Sequence, residues 1–283
     1  MFDKIRERGF QIEFHSHARA ILSGDFPDAA RELEGAIGGL LIPIEEIIGS
    51  GGGETQGTQR LRRALAQLGW RKKNFVVEKR INDVAREAIS HEIDHVKAFD
   101  PGVIALEIEW NNKDPFFDRD LENFKRLHAD GAISVGVVVT RGTSMQDDLR
   151  ALVQRFAFEK GLNSNEAVEA FGMTRTKRQK AAVEKRMTTL GCSFEEGWAA
   201  LFVSDKFGTA TTHWAKLRDR VHRGVGNPCP LVLIGLPSSI VTFDEHLALE
   251  DIAAEEEALV EQGIAQKTYY SAAIARSVAE LKP

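Results

Sequence analysis

The feature of this sequence that most constrains its fold is the run AISVGVVVTRG, residues 132–142, which is dominated by valine and small residues. Such a strand has few polar side chains to turn toward water, so it must be covered on both faces, as strands of parallel sheets are. It is preceded by the helical pattern FFDRDLENFKRLH at 116–128 and by the strand pattern GVIALEIEW at 102–110. The order strand, helix, strand predicts an α/β fold.

Further segments extend this unit in both directions. The alternating segment REAISHEIDHVKAF, residues 86–99, is joined to the strand at 102–110 by the turn sequence FDPG, which predicts two adjacent strands. Residues 24–48 have helical spacing, residues 144–226 are mostly helical and polar, and LVLIGLPSSIV at 231–241 is typical of a buried strand. We therefore expect a mixed central β-sheet flanked by helices, with helical insertions.

Composition excludes several classes of protein. The chain of 283 residues has a net charge of −5, whereas proteins that coat nucleic acid by bulk attraction carry a strong basic excess. Two cysteines without a CxxC spacing support neither a disulfide framework nor a zinc motif. No apolar run is long enough for a membrane span, and the sequence start is charged, so we expect a cytoplasmic protein that contacts no membrane. There is no GxxxxGK[ST] motif, so no nucleotide cofactor is expected.

Acidic residues mark the strand at 102–110. The two-residue period of a strand places Glu107 and Glu109 on one face, and Asp94 lies in the preceding strand, close enough to join them if the two strands pair. Adjacent carboxylates repel one another unless a cation neutralises them, and Mg²⁺ prefers oxygen ligands. Asp94 and Glu107 could hold the metal while Glu109 orients or deprotonates a water, which suits phosphodiester hydrolysis. The alternative is that both glutamates line the solvent face of an edge strand.

The run from EIDHVKAFDPG through LEIEWNNKDPFFDRDLENF to SVGVVVTRG resembles the catalytic core of BglII/BamHI-type type II restriction endonucleases, in the PD-(D/E)XK nuclease superfamily. The resemblance extends upstream to GGGETQGTQRLRRALAQLGW and downstream to SDKFGTATTHWAKL and NPCPLVLIGLP, and so spans roughly residues 45–240. It implies a restriction-endonuclease-like fold, Mg²⁺ as cofactor and double-stranded DNA as substrate.

The resemblance also assigns roles to residues. It implies that Asp94 and Glu107 bind the metal, and it puts Glu109 where the superfamily usually has lysine, a departure that resembles the BamHI variant and leaves the general base open. Lys113 could supply the missing positive charge. Glu54, at the start of a helix, could bring one more acid toward the metal, or it could be a helix-start acid favoured by the dipole.

Two segments are candidates for DNA contact. The basic stretch TRTKRQK could contact phosphates or read guanine edges in the major groove, or it could be a solvated charged helix. In SDKFGTATTHWAKL, hydroxyls and basic groups lie where the resemblance implies DNA contact; otherwise the segment is a helix start with a capping threonine. The candidate residues are Arg175, Lys177, Arg178 and Lys180 in the first segment, and Lys206, Thr211, Thr212, His213 and Lys216 in the second.

Histidines form two closely spaced pairs, His15 with His17 and His91 with His95, but the sequence places no further ligands beside either pair. Metal binding at these histidines is therefore disfavoured.

Together these observations predict one elaborated catalytic domain over residues 1–283. Its expected parts are a nuclease core at about 45–142 with a strand at 230–241, a helical recognition insertion at about 144–226, and C-terminal helices at 244–283. A homodimer is expected because a palindromic site presents the same half-site twice. The expected products carry 5′-phosphates and 3′-hydroxyls. The rival functions are a repair or recombination nuclease of the same fold without a fixed sequence, and a non-catalytic DNA-binding protein.

Overall fold

The computed structural model of the protein describes residues 1–49 and 56–243. Glu54 and the helices expected at 244–283 lie outside the described residues. The chain forms two compact units, and the first comprises residues 1–40, 58–146 and 210–240. The second contains, among the described residues, 41–49, 56–57, 147–209 and 241–243. The expected single domain and its internal division stay predictions.

The strands are β1 (Gln11–His15), β2 (Ile42–Pro43), β3 (Arg71–Ile81), β4 (Val84–Phe99), β5 (Gly102–Glu109), β6 (Val135–Arg141), β7 (Leu231–Leu236) and β8 (Val241–Thr242). The helices are α1 (Asp3–Glu7), α2 (Ala18–Gly24), α3 (Pro27–Gly38), α4 (Ile44–Gly49), α5 (Gln56–Gln67), α6 (Phe116–Ala129), α7 (Thr143–Glu159), α8 (Asn165–Ala170), α9 (Lys177–Leu190), α10 (Phe194–Lys206) and α11 (Trp214–His222).

A mixed six-stranded sheet forms the centre of the first unit, with the strand order β1-β7-β6-β5-β4-β3. The pairs β7–β6 and β6–β5 are parallel, and the pairs β1–β7, β5–β4 and β4–β3 are antiparallel. Every residue of β6 is buried, which confirms that the valine-rich run is covered on both faces. The α/β fold with a mixed, helix-flanked sheet is therefore confirmed.

Helices α6 and α11 pack on one face of this sheet and position the end of β5. The apolar stripe of α6 includes Phe117, Leu121 and Phe124, and α11 contributes Trp214 and Leu217 to the same buried cluster. These side chains pack with sheet residues such as Ala105 of β5 and Val138 of β6. Ala105 and Glu107 are two residues apart on β5 and therefore lie on the same face of the strand. This face, which carries the glutamates, is turned toward α6.

Some expectations about elements were wrong. The segment 24–48 is not one helix, because α3 ends at Gly38 and a short strand, β2, precedes α4. The strand expected at 231–241 ends at Leu236 and is followed by a 3₁₀ turn over Ser238–Ile240. Strand β3, which pairs with β4 as a long antiparallel hairpin, was not expected from the sequence.

Residues 144–226 are mostly helical, as expected, and residues 147–209 among them belong to the second unit. It contains the two-stranded parallel pair β2–β8 and the helices α8 to α10. Helix α9 begins at a capping box, in which Thr176 and Gln179 satisfy each other's backbone N–H groups. Helix α9 packs against α10.

Candidate active site

The candidate site is built on β5, an interior strand that pairs with β6 on one side and β4 on the other. Glu107 and Glu109 project from it toward α6 and are only 3% and 2% exposed. The alternative in which both glutamates line the solvated face of an edge strand is therefore wrong.

Asp94 lies beside Glu107 because β4 and β5 are adjacent, as predicted, and pair in an antiparallel manner with His95 opposite Leu106. The backbone N–H of Asp94 donates to Glu107 Oε1 over 3.4 Å. Its own carboxylate is partly exposed and faces basic groups, with Arg62 Nη2 at 3.4 Å and Lys72 Nζ at 4.0 Å. Asp94 therefore occupies the accessible side of the cluster, while Glu107 lies behind it.

A third element, α6, contributes a carboxylate that the sequence analysis missed. Asp120 is completely buried, and its Oδ1 accepts from Arg119 Nε at 2.8 Å. No N–H group of the described residues donates to its Oδ2. The carboxyl groups of Asp120 and Glu109 lie close enough to share a proton. The signal in the sequence is an aspartate on the apolar face of α6, three residues after Phe117 and one before Leu121.

Burial and mutual repulsion shift these carboxyl groups toward the protonated form. Loss of hydration, followed by the charges of Asp120 and Asp94, raises the pKa of Glu107 from 4.5 to about 9. Burial and Asp120 likewise raise the pKa of Glu109 to about 8, and burial raises the pKa of Asp120. A cluster held this way is stabilised by a bound cation, which removes the repulsion. The Asp120 oxygen that lacks an N–H donor and the all-oxygen donor set fit a hard divalent ion.

Glu109 is oriented by two neighbours. Asn112 Nδ2 donates to its Oε2 over 2.6 Å, and Arg119 Nη2 lies 3.5 Å from its Oε1. Lys113, expected to supply positive charge here, is exposed, and its backbone forms a bridge with Thr211. The cation beside Glu109 is therefore the guanidinium of Arg119.

The predicted DNA-contact residues of the first unit hold a loop beside the end of β5. Thr212 is fully buried, and its Oγ1 accepts from the backbone N–H of Asn112 at 3.1 Å. The Oγ1 of Thr211 accepts from Arg141 Nη2 at 2.6 Å. His213 precedes α11 and is nearly buried, and Lys216 Nζ lies 3.2 Å from Asp114 Oδ2. These hydroxyls therefore serve the structure of the loop.

Arg141, at the end of β6, is the buried centre of this loop. Its Nε donates to Trp110 O at 2.8 Å, and its Nη2 donates to Thr212 O at 2.7 Å. Its Nη1 donates to Gln146 Oε1 at 2.7 Å. Burial lowers the pKa of Arg141 to about 9. One guanidinium thus joins β5, β6 and the segment before α11.

The remaining predicted contacts belong to the second unit. Lys177 and Arg178 are exposed in the first turn of α9. Arg175 is partly buried and donates to Asn165 Oδ1 at 3.1 Å, and Lys180 forms an ion pair of 2.7 Å with Glu169. Lys206 donates to Ile47 O at 3.0 Å, and burial lowers its pKa to about 8. Lys206 therefore belongs to a different compact unit from Thr211, Thr212, His213 and Lys216.

The helix-flanked mixed sheet, with two buried carboxylates on β5, one on α6 and the partly exposed Asp94 on the adjacent β4, is consistent with a restriction-endonuclease-like fold. The sequence profile of the family described as Restriction endonuclease BglII/BglIII matches residues 10–236. The chain belongs to this family, and it is a type II site-specific deoxyribonuclease, a hydrolase that acts on double-stranded DNA. No curated protein matches the chain. Among the described residues, no helix is long and apolar enough to cross a membrane.

Proposed function

We propose that this enzyme cleaves both strands of a specific DNA site in a Mg²⁺-dependent reaction that leaves 5′-phosphates and 3′-hydroxyls. The observation that carries the proposal is the buried cluster of Glu107, Glu109 and Asp120 beside the accessible Asp94. Folding these acids together is unfavourable without a cation, so the arrangement supports metal binding at this site.

Asp94 and Glu107 are the proposed metal ligands. The same role is proposed for Asp120 on α6, because its carboxylate is buried beside theirs and no N–H group of the described residues donates to its Oδ2. When bound, Mg²⁺ would stabilise the negative charge that develops on the scissile phosphate. Arg62 and Lys72, which face the Asp94 carboxylate, add positive charge on the side from which a phosphate would approach.

Glu109 is the proposed general base. Asn112 and Arg119 fix its carboxylate, and a pKa raised by burial makes it a stronger proton acceptor than an exposed glutamate. The Glu109 carboxylate accepts a proton from the attacking water as its oxygen forms a bond to phosphorus. The bond from phosphorus to the 3′ oxygen breaks, and that oxygen leaves with a proton taken from solvent.

Contact with DNA is proposed for the exposed Lys177 and Arg178 at the start of α9, where they could bind phosphates. A homodimer is proposed because two copies would present one active site to each strand of a palindromic site. Light scattering on the purified protein, with and without its DNA site, measures the number of subunits.

A digest of sequenced bacteriophage DNA tests the proposal. The wild type with Mg²⁺ should give discrete fragments, and EDTA, Asp94→Asn or Glu107→Gln should abolish them. Asp120→Asn should slow cleavage by at least about 100-fold, in line with loss of a group that acts on the transition state. Glu122→Gln is the matched control, because this glutamate lies on the same helix but pairs at the surface with Lys125 and Arg126.

Metal binding is measured separately by calorimetric titration with Mg²⁺ in the absence of DNA. The Asp94→Asn and Asp120→Asn variants should bind more weakly than the wild type, and Glu122→Gln should bind equally well. Sequencing of the fragment ends gives the recognition site and the position of the phosphate. A smear instead of bands would refute the proposed specificity, and undiminished cleavage in EDTA would refute the metal dependence.

A further inference from the structure

A second group of side chains that can ligate a metal lies at the edge of the central sheet that β1 forms. Glu13 and His15 are two residues apart on β1 and so project from the same face, and His222 is the last residue of α11. One ligand atom from each lies within 4.8 Å of the others. In the sequence His15 is spaced closely with His17, but the fold brings His15 to a glutamate and to a histidine about 200 residues away.

The distances within this group match those of a cation site. The Oε2 of Glu13 lies 3.3 Å from His15 Nε2 and 3.9 Å from His222 Nε2. In a tetrahedral zinc site with bonds of about 2.0–2.1 Å, neighbouring ligand atoms are roughly 3.4 Å apart. The three atoms could therefore reach one ion through small side-chain rotations.

The other oxygen of the same carboxylate is already held. Arg218 Nε lies 2.6 Å from Glu13 Oε1, on the same helix as His222 and four residues before it. The contact is an ion pair without hydrogen-bond geometry, and the charge of Arg218 attracts Oε1 toward the guanidinium. Arg218 thus leaves Oε2 directed at the two imidazole rings, whose centroids are 5.9 Å apart.

The group is separate from the carboxylate cluster at the candidate active site. Strands β7 and β6 lie between β1 and β5, which corresponds to roughly 14 Å at the usual strand spacing. Its donor set is also different, because two imidazoles and one carboxylate suit Zn²⁺, whereas Mg²⁺ prefers oxygen ligands alone. His222 is 53% exposed at its side chain, so an ion could enter from solvent.

We propose that Glu13, His15 and His222 form a Zn²⁺ site that ties the edge strand β1 to the end of α11. Three protein ligands leave the fourth position for water or a small anion. The bound ion would stabilise the pairing of β1 with β7, because β1 is the outermost strand of the sheet on this side. The proposal does not depend on the catalytic mechanism proposed for β5.

The test is calorimetric titration of the metal-stripped, full-length protein with Zn²⁺, followed by thermal unfolding. Losing one ligand should weaken Zn²⁺ binding by roughly 100-fold, since substitution of a residue that only hydrogen-bonds to a metal ligand already lowers metal affinity by about 10–100-fold. His15→Gln and His222→Gln should both show this loss, and Zn²⁺ should raise the melting temperature of the wild type but not of these variants. His17→Gln is the matched control, since His17 lies outside the group, and it should behave like the wild type.

Zn²⁺ that binds to the carboxylates of β5 contributes equally to the titrations of the wild type and the three variants. The difference in Zn²⁺ affinity between the proteins therefore measures the proposed site alone. Circular dichroism establishes that the variants are folded, and the exposure of His222 makes its substitution a mild one. Co²⁺ replaces Zn²⁺ in a parallel titration, where a tetrahedral site gives intense visible absorption. Equal Zn²⁺ binding by the wild type and His222→Gln, or no cobalt absorption in the wild type, would overturn the proposal.

Discussion

Replacing Glu107 by glutamine should make the metal-free protein more stable while abolishing cleavage. The amide keeps the size of the side chain and can still accept from the Asp94 N–H group, but it cannot ionise. In the wild type the pKa of Glu107 is raised from 4.5 to about 9, chiefly by burial. Between these two pKa values the folded protein therefore retains a proton on Glu107 that the unfolded chain loses.

The direction in which stability changes with pH follows from this difference in bound protons. Stability contributed by a group whose pKa is raised on folding is fully present below its unfolded pKa and is lost as the pH rises toward the folded value. The wild type should accordingly lose stability between pH 5 and 9, within the range set by Glu107. We expect Glu107→Gln to gain about 2–4 kcal/mol on the wild type at pH 8.5, the order of the penalty for burying an ion, and little at pH 5.

Thermal unfolding in EDTA, followed by circular dichroism at several pH values, measures this effect. A gain of this size corresponds to a melting temperature roughly 4–10 °C higher at pH 8.5. Glu7→Gln is the control, because Glu7 is exposed on α1 and its substitution should change nothing. Adding Mg²⁺ should raise the melting temperature of the wild type but not of Glu107→Gln. A variant that is less stable than the wild type at every pH would refute the reasoning, since Glu107 would then be a structural partner.

Two further predictions concern Arg141 and α9. Arg141→Met should destabilise the protein by about 3–5 kcal/mol in urea unfolding, because Trp110 O, Gln146 Oε1 and Thr212 O lose a buried donor. The control variant Arg19→Met, at an exposed position, should have the stability of the wild type. Equal stability of the two variants would contradict the prediction. The double variant Lys177→Ala, Arg178→Ala should show a weaker salt dependence of DNA binding, measured by fluorescence anisotropy in EDTA. The slope of the logarithm of the binding constant against the logarithm of salt concentration should become shallower by roughly 0.9 for each phosphate that the protein no longer neutralises. The exposed Lys4→Ala should leave the slope unchanged, and an unchanged slope in the double variant would place the DNA-binding surface elsewhere.

The part of the fold that could be predicted from the sequence is the part built from neighbouring segments. The turn FDPG joins β4 to β5, and α6 separates β5 from β6, so periodicity and turn chemistry determine these elements locally. The same local pattern placed Asp94 beside Glu107, because the residues facing each other across a short turn follow from the register. Membership of the family is confirmed by the match over residues 10–236.

What could not be predicted depends on contacts between distant segments. Asp120 joins the carboxylates only because α6 packs its apolar face on β5. His222 reaches Glu13 through the antiparallel pairing of β1 with β7 and the position of α11, neither of which is encoded in residue spacing. Strand β3 was missed because RKKNFVVEKRI is rich in charge, which is tolerated where a strand forms the edge of a sheet.

The strand order also determines when the sheet can be finished during synthesis. Strand β1 is made first, yet its partner is β7, with Gln11 opposite Gly235. At ordinary rates of translation, β1 must wait roughly 10–45 s for that partner to be made. During this interval β6 has no neighbour on the side that β7 will occupy, so a nascent chain cut short before residue 231 carries an open, valine-rich edge able to pair with other chains. Truncated products of this gene should therefore aggregate rather than accumulate as partly active enzyme.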